Sequence, residues 1–311
     1  MKTCILGAGS LGSAIGGVLA LGGNEVHLVA RAKNVAALNG RGLTLVSPEG
    51  EEQLARVFAH ETAEGIGECD LVIVLCKAMD TAGAIAGAGV PELIGPQTSV
   101  VSLQNGLGTE DILVEAFGAE HVIGGKTYVG GMLLEPGRVR ASVAGKRTVI
   151  GELDGTVTER VQHIANAFSA AGLMCEASDN IMGVIWDKLL VNVSTGALCA
   201  TTGLAYGDLY DEPLIRDVAL MAVQEGIDVA HALGVRLTSD DPEYSWELAR
   251  AGLGADFKPS LLQSLENGRK TEVDVIAGAV VREGAKASIP TPVNQTLVAV
   301  VHGIERRIGA R

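Results

Sequence analysis

Apolar positions along this chain follow two different rhythms. Up to about residue 178 they come as short continuous runs, the pattern of strands buried on both faces, separated by glycine-rich turns; from Asp179 onward they recur with helical spacing. The runs predict strands at 4–6, 26–29, 43–46, 56–60, 70–76, 99–103, 122–125, 128–134, 138–143, 147–151 and 174–177. Helices are expected after residue 9, around 35–38, over 79–86 and over 157–171. The stretches 43–46 and 56–60, joined past Pro48-Glu49-Gly50, read as a hairpin inserted into an α/β alternation. Helical periodicity then covers 180–200, 212–233, 241–252, 259–285 and 293–308. Asp179 and Asn180 suit a helix cap, Pro213 and Pro259 suit first turns, and Pro290 and Pro292 break the chain before the last helix. The pattern predicts an α/β fold class with two domains, a sheet domain over 1–178 and an all-helical domain over 179–311.

The first strand enters Gly7-Ala8-Gly9-Ser10-Leu11-Gly12, and the helix that follows leads into a second strand. In such a unit Gly7 permits the tight turn, Gly9 lets the backbone approach a pyrophosphate, and Gly12 lets the helix pack on the strand, with the phosphates at the helix N-terminus. The first domain is therefore expected to be a Rossmann-type doubly wound sheet that binds a dinucleotide. The second strand ends Val29-Ala30-Arg31 with Lys33 nearby and no acid. An acid there would hold a ribose 2′-OH, whereas an Arg accommodates a 2′-phosphate. NADP(H) is the expected cofactor, with Arg31 as its phosphate clamp.

Composition narrows the class further. The formal charge is −13, which works against nucleic-acid backbones and anionic membrane surfaces, and aromatic residues are only 3%, too few for a base-stacking platform. Five cysteines contain no CxxC pair, and the six histidines show no paired spacing. Reduced thiols in a cytoplasmic protein without a metal site are expected. A secretory-signal reading of the N-terminus, prompted by Lys2 before an uncharged span, conflicts with the glycines at 7, 9 and 12 and with the strand that follows. The uncharged run 189–207 contains Asn192, Ser194, Thr195, Thr201 and Thr202, which favours a buried helix over a membrane span.

Chemistry-bearing residues fall at a few places. Lys77 and Asn105 lie just past the ends of the strands predicted at 70–76 and 99–103, the edge of an open α/β sheet where ligands bind. In Trp186-Asp187-Lys188-Leu189-Leu190-Val191-Asn192, Lys188 and Asn192 are at i and i+4, hence on one helix face in apolar surroundings. An ammonium there needs a carboxylate or bound anion, unless it snorkels or pairs with Asp187 or Asp179. Ser260, near a helix start, and Glu272, about three turns later on the helix predicted over 259–285, form a second constellation.

The GAGSLG turn, the strand ending in Lys77-Ala78, Asn105-Gly106-Leu107-Gly108, the Trp186–Asn192 segment and Ser260-Leu261-Leu262-Gln263 through Thr271-Glu272-Val273-Asp274 occur in order and spacing that resemble the ketopantoate reductase (2-dehydropantoate 2-reductase) family over nearly the whole chain. The resemblance implies an active site between the two domains and NADPH-dependent reduction of a small 2-oxo acid. Lys188 then looks like the general acid, Glu272 like a carboxylate that orients substrate and balances the lysine, and Asn192 and Ser260 like substrate-binding groups. Asn105 looks like a contact to both ligands, and Lys77 and Glu272 join Gly7 to Gly12 and Arg31 in the cofactor-binding set. Two positions depart from the family's common pattern. Gly196 stands where a second Asn is frequent, and Asp80 where a Gln is frequent. They keep open another branched 2-oxo acid or related carbonyl as substrate; a non-catalytic NADP-sensing module is the alternative outside catalysis. The apolar helical domain could also support a homodimer.

Overall fold

A computed structural model describes residues 1–310. The strands are β1 (Lys2–Leu6), β2 (Glu25–Val29), β3 (Leu43–Val46), β4 (Glu52–Ala55), β5 (Phe58–His60), β6 (Leu71–Val74), β7 (Ser99–Ser102), β8 (Val122–Thr127), β9 (Gly130–Glu135), β10 (Arg138–Ser142), β11 (Thr148–Glu152) and β12 (Cys175–Ala177). Eight of them form one sheet in the order β12-β11-β8-β7-β6-β1-β2-β5. From β5 to β8 the neighbours are all parallel. Numbered along the chain, these six strands run 3-2-1-4-5-6, the doubly wound Rossmann order, with the direction of winding reversing between β1 and β6. The antiparallel β11 and then β12 extend it beyond β8. Continuous burial along β6 explains its unbroken apolar run, and β7 and β8 are buried throughout as well.

A second sheet, β4-β3-β10-β9, is assembled from two insertions in the alternation. Helix Ser10–Leu21 is packed against strands of both sheets. Its small residues make that possible. A Cβ on Gly12 would collide with the Gly7 carbonyl, one on Gly16 would come within 2.8 Å of Leu28, and one on Gly17 would meet Leu45 of β3 at 2.8 Å. The segment predicted at 56–60 is not the hairpin partner of β3. That partner is β4, while β5 adds in parallel to β2 at the edge of the main sheet. The predicted strand corresponds to β5, and β4, separated from it by only Arg56 and Val57, was not expected.

Contacts divide the chain into two compact units, Met1–Gln104 with Thr109–Ile181, and Asn105–Gly108 with Met182 onward. The loop after β7 therefore groups with the helical unit, where the periodicity alone placed one boundary near 178. In that unit the long apolar helix Ile181–Thr202 is mostly buried. Helix Pro213–Ala232 approaches it closely at Gly226, where a Cβ would come within 2.5 Å of Leu190. The helix expected over 259–285 is broken. Ser260–Glu266 ends at the Asn267-Gly268 turn, a 3-10 turn follows at Val273–Val275, and Ala277–Ala287 resumes. Thr271 donates through its N–H and hydroxyl to Glu305 of the last helix, both at 2.8 Å, and this holds the irregular segment in place. Ser260 and Glu272 are thus on different elements. Helices Thr109–Phe117 and Tyr206–Tyr210 were not expected from the sequence.

Candidate active site

The glycine turn sits at the carboxyl end of β1, beside the reversal of winding. Gly7 has φ +101°, and a Cβ there would collide with the backbone of Cys76, so this position excludes a side chain twice over. The N–H groups of Gly7 and Ala8 donate to the Val29 carbonyl at 3.2 and 3.0 Å, tying the turn to the end of β2. Gly9 is the N-cap of helix Ser10–Leu21 and carries no capping side chain; nothing lies within 4 Å of where its Cβ would be. Open space at Gly9, next to the first N–H groups of a helix, fits the pyrophosphate of a dinucleotide. Ser10 accepts from the Leu133 N–H of β9 at 3.1 Å, so its hydroxyl anchors the second sheet at this helix start.

Arg31, exposed, is the N-cap residue of helix Ala32–Arg41 immediately past β2. Asn34 on the same helix donates to the Ala8 carbonyl at 3.4 Å, linking that helix start to the glycine turn. Lys77, half-buried, caps the 3-10 turn that follows β6, and the exposed Asp80 ends that turn. Gly7 to Gly12, Arg31 and Lys77 therefore share the carboxyl edge of the main sheet.

In the helical unit, Lys188 and Asn192 are half-buried one turn apart on Ile181–Thr202, flanked by the buried Trp186, Leu189, Leu190 and Val193. The Asp187 carboxylate is engaged elsewhere, accepting from the N–H and hydroxyl of Thr238 at 3.0 and 2.5 Å. Continuing the same stripe by another turn reaches Gly196, whose Cβ position is 3.6 Å from Leu261, the neighbour of Ser260. Ser260 is exposed at the first position of its helix, and its hydroxyl is not the cap, since the N-cap residue is Pro259. Glu272 is half-buried and precedes the 3-10 turn.

The unit joins Glu272 and Asn105 through their neighbours. The Leu107 N–H donates to the Val275 carbonyl at 2.9 Å, and Arg282 donates to the Leu107 carbonyl at 3.2 Å. Gly106, with φ +87°, lies so close to Val275 that any Cβ would collide with its carbonyl. Two links are thus visible: the stripe from Lys188 to Gly196 with the helix of Ser260, and the loop of Asn105 with the segment of Glu272.

Sequence reasoning passed over the polar layer beneath the strand ends. Gln104, Ser102, Thr109, Thr81 and Lys126 are all buried there, and Lys126 donates to the Gln104 carbonyl at 2.6 Å. The available signal was a lysine inside the strand run Ile123-Gly124-Gly125-Lys126-Thr127, where a solvated charge is out of place. Among the described residues no cluster of three or more His, Cys, Asp or Glu side chains could hold a metal, and all five cysteines are free. Burial pushes the Cys69 thiol up to about 11 and those of Cys175 and Cys199 up to about 12, which keeps them protonated and inert.

A Rossmann-ordered sheet with its glycine turn at the switch point, joined to a helical unit carrying a Lys and Asn stripe, defines a two-part oxidoreductase of the dinucleotide-binding class. Residues 3–155 match the family model for ketopantoate reductase PanE/ApbA, and residues 180–305 match the model for its C-terminal part. The chain is 34% identical to the 2-dehydropantoate 2-reductase of Halobacterium salinarum over 98% of this chain and 99% of that one. A ketopantoate reductase structure from Ralstonia eutropha aligns with TM-score 0.90 at 34% identity, covering 99% and 100% of the two chains. The structure of a D-mandelate dehydrogenase with NADH and anilino(oxo)acetate aligns over all of both chains with TM-score 0.91 at 28% identity. The chain belongs to the ketopantoate reductase PanE/ApbA family.

Proposed function

We propose that this protein reduces ketopantoate, a small 2-oxo acid, to pantoate with NADPH, acting in the cytoplasm in the route to pantothenate. The observation that carries the reading is the half-buried Lys188 one turn from Asn192 on helix Ile181–Thr202 of a chain that aligns with a 2-dehydropantoate 2-reductase over nearly all of both chains. The nicotinamide, when bound, supplies the hydride. As a 2-oxo group is reduced, negative charge builds on its oxygen. An ammonium beside that oxygen stabilises the transition state more than the ground state and can deliver the proton. Lys188 takes that role; Glu272 orients the substrate and balances the lysine's charge. Asn192, Ser260 and Asn105 hold the substrate. Lys77, Asn105 and Glu272 would border the cofactor, with Gly7 to Gly12 holding its pyrophosphate and Arg31 its 2′-phosphate.

A second reading keeps the chemistry and changes the substrate. At Gly196 the stripe offers no amide and only the Leu261 methyl groups nearby, which suits a 2-oxo acid with an apolar tail. The likeness to the D-mandelate dehydrogenase points the same way. One assay decides: NADPH oxidation with ketopantoate and a panel of 2-oxo acids, repeated with NADH. Ketopantoate with NADPH is expected to give the highest kcat/KM. A preference for an apolar 2-oxo acid would favour the second reading, and no turnover with any of them would overturn both.

A further inference from the structure

We infer that Gln104 and Lys126 form a clasp across three strand ends and act as positioning residues for Lys77 and Asn105, an inference that rests on the proposed function. Gln104 follows β7, the middle of the three neighbouring parallel strands β6, β7 and β8. Its side-chain amide donates to the Cys76 carbonyl at 2.8 Å, just past β6, and to the Thr81 hydroxyl at 2.9 Å. Its side-chain oxygen accepts from the Ser102 hydroxyl at 3.0 Å. From the other side, Lys126 of β8 donates to its backbone carbonyl at 2.6 Å. Gln104 and Lys126 are 4% and 1% exposed, so these bonds are shielded from competing water.

The placement gives the clasp its consequence. Cys76 immediately precedes Lys77, and Gln104 immediately precedes Asn105, so each candidate ligand residue stands one peptide beyond a clasped carbonyl. A planar trans peptide points its N–H opposite to its C=O; fixing the Gln104 carbonyl therefore fixes the direction of the Asn105 N–H. The hydrogen bond donated by Lys126 also draws electron density from that amide and makes its N–H a stronger donor. With two donor hydrogens and an acceptor, the Gln104 side chain satisfies Cys76, Thr81 and Ser102 together.

The test uses the full chain with Gln104→Met, Lys126→Met and the double variant, near-isosteric changes that remove the polar groups. Amide exchange and amide resonances are followed by NMR, and kcat/KM is measured with ketopantoate and NADPH. Each single variant is expected to speed exchange about tenfold in both 77–81 and 104–108, leaving β1 and helix Pro213–Ala232 unchanged. Lys126→Met should also move the Asn105 amide proton upfield, the signature of lost polarisation. Each should lower kcat/KM about tenfold, with the double variant no worse than the poorer single one, because both act through one peptide. Exchange changes confined to the mutated strand, an unmoved Asn105 resonance, or additive kinetic losses would overturn the clasp. Absence of turnover in the wild type would instead count against the proposed function, and exchange and resonances would still decide the clasp.

Discussion

Glycines 7 and 9, two residues apart, make opposite demands. Gly7 is strained for any other residue and is pressed against Cys76, so Gly7→Ala should cost several kcal/mol, on the order of 3 or more, and lower the urea midpoint accordingly. Gly9 has ordinary φ and open space around it. Gly9→Ala should fold with a loss of about 1 kcal/mol yet bind NADPH at least about tenfold more weakly, because its methyl group takes up room the pyrophosphate needs. Fluorescence titration of NADPH separates the two variants. At Gly196 a Cβ would make only ordinary contact with Leu261, so Gly196→Ala should raise stability by roughly 0.5–1 kcal/mol in the same urea experiment. The glycine turn, the place of Arg31 just past β2 and the shared helix of Lys188 and Asn192 were readable from residue spacing because turns and helix faces are local. The link between Asn105 and Glu272 was not, since it runs through the Leu107 and Val275 backbones, 168 residues apart and without a side-chain pattern.

Among the elements, β11 and helix Glu159–Ala170 are joined by an ion pair that reports on pH. Burial pushes the Glu152 carboxyl up, but bonds from Arg160 and Thr158 outweigh this and hold it below the usual carboxylate range. A depressed folded pKa means that the stabilisation is complete above the carboxyl's ordinary value of 4.5 and is lost as pH falls through the depressed value. Glu152→Gln should therefore be less stable than wild type at pH 7, with the gap closing as the pH falls well below 4.5, measured by urea unfolding across that range. A gap independent of pH would contradict this. Element prediction worked best where the pattern was longest: the buried parallel strands and the helix Ile181–Thr202 lie within a few residues of expectation. It failed where a turn interrupts a uniform pattern. Asn267-Gly268 divides one apparent helix into two, and the strand expected at 56–60 pairs with β2 while the unexpected β4 just before it takes the place beside β3.

For the whole molecule, the Rossmann-type sheet was legible in the strand, glycine-turn, helix, strand unit and the helical second unit in the change of periodicity near residue 178, but the assignment of Asn105–Gly108 to the helical unit was not. That grouping depends on tertiary hydrogen bonds to Val275 and from Arg282, which leave no local trace in the sequence. It means that the proposed active-site residues of the helical unit include a loop inserted from the end of β7. Lys188, Asn192, Ser260, Glu272 and Asn105 all belong to that unit, and the cofactor-binding turn, Arg31 and Lys77 belong to the other. Lys188 belongs to the helical unit and is outside the proposed cofactor-bordering set, so its loss should affect chemistry more than cofactor binding. The most direct measurement is the NADPH-dependent reduction of ketopantoate by Lys188→Ala beside the wild type, with NADPH affinity determined for both. If Lys188 is the proton donor, kcat should fall by about a hundredfold or more while the Kd for NADPH changes by less than about threefold. Wild-type turnover in the variant would contradict the assignment.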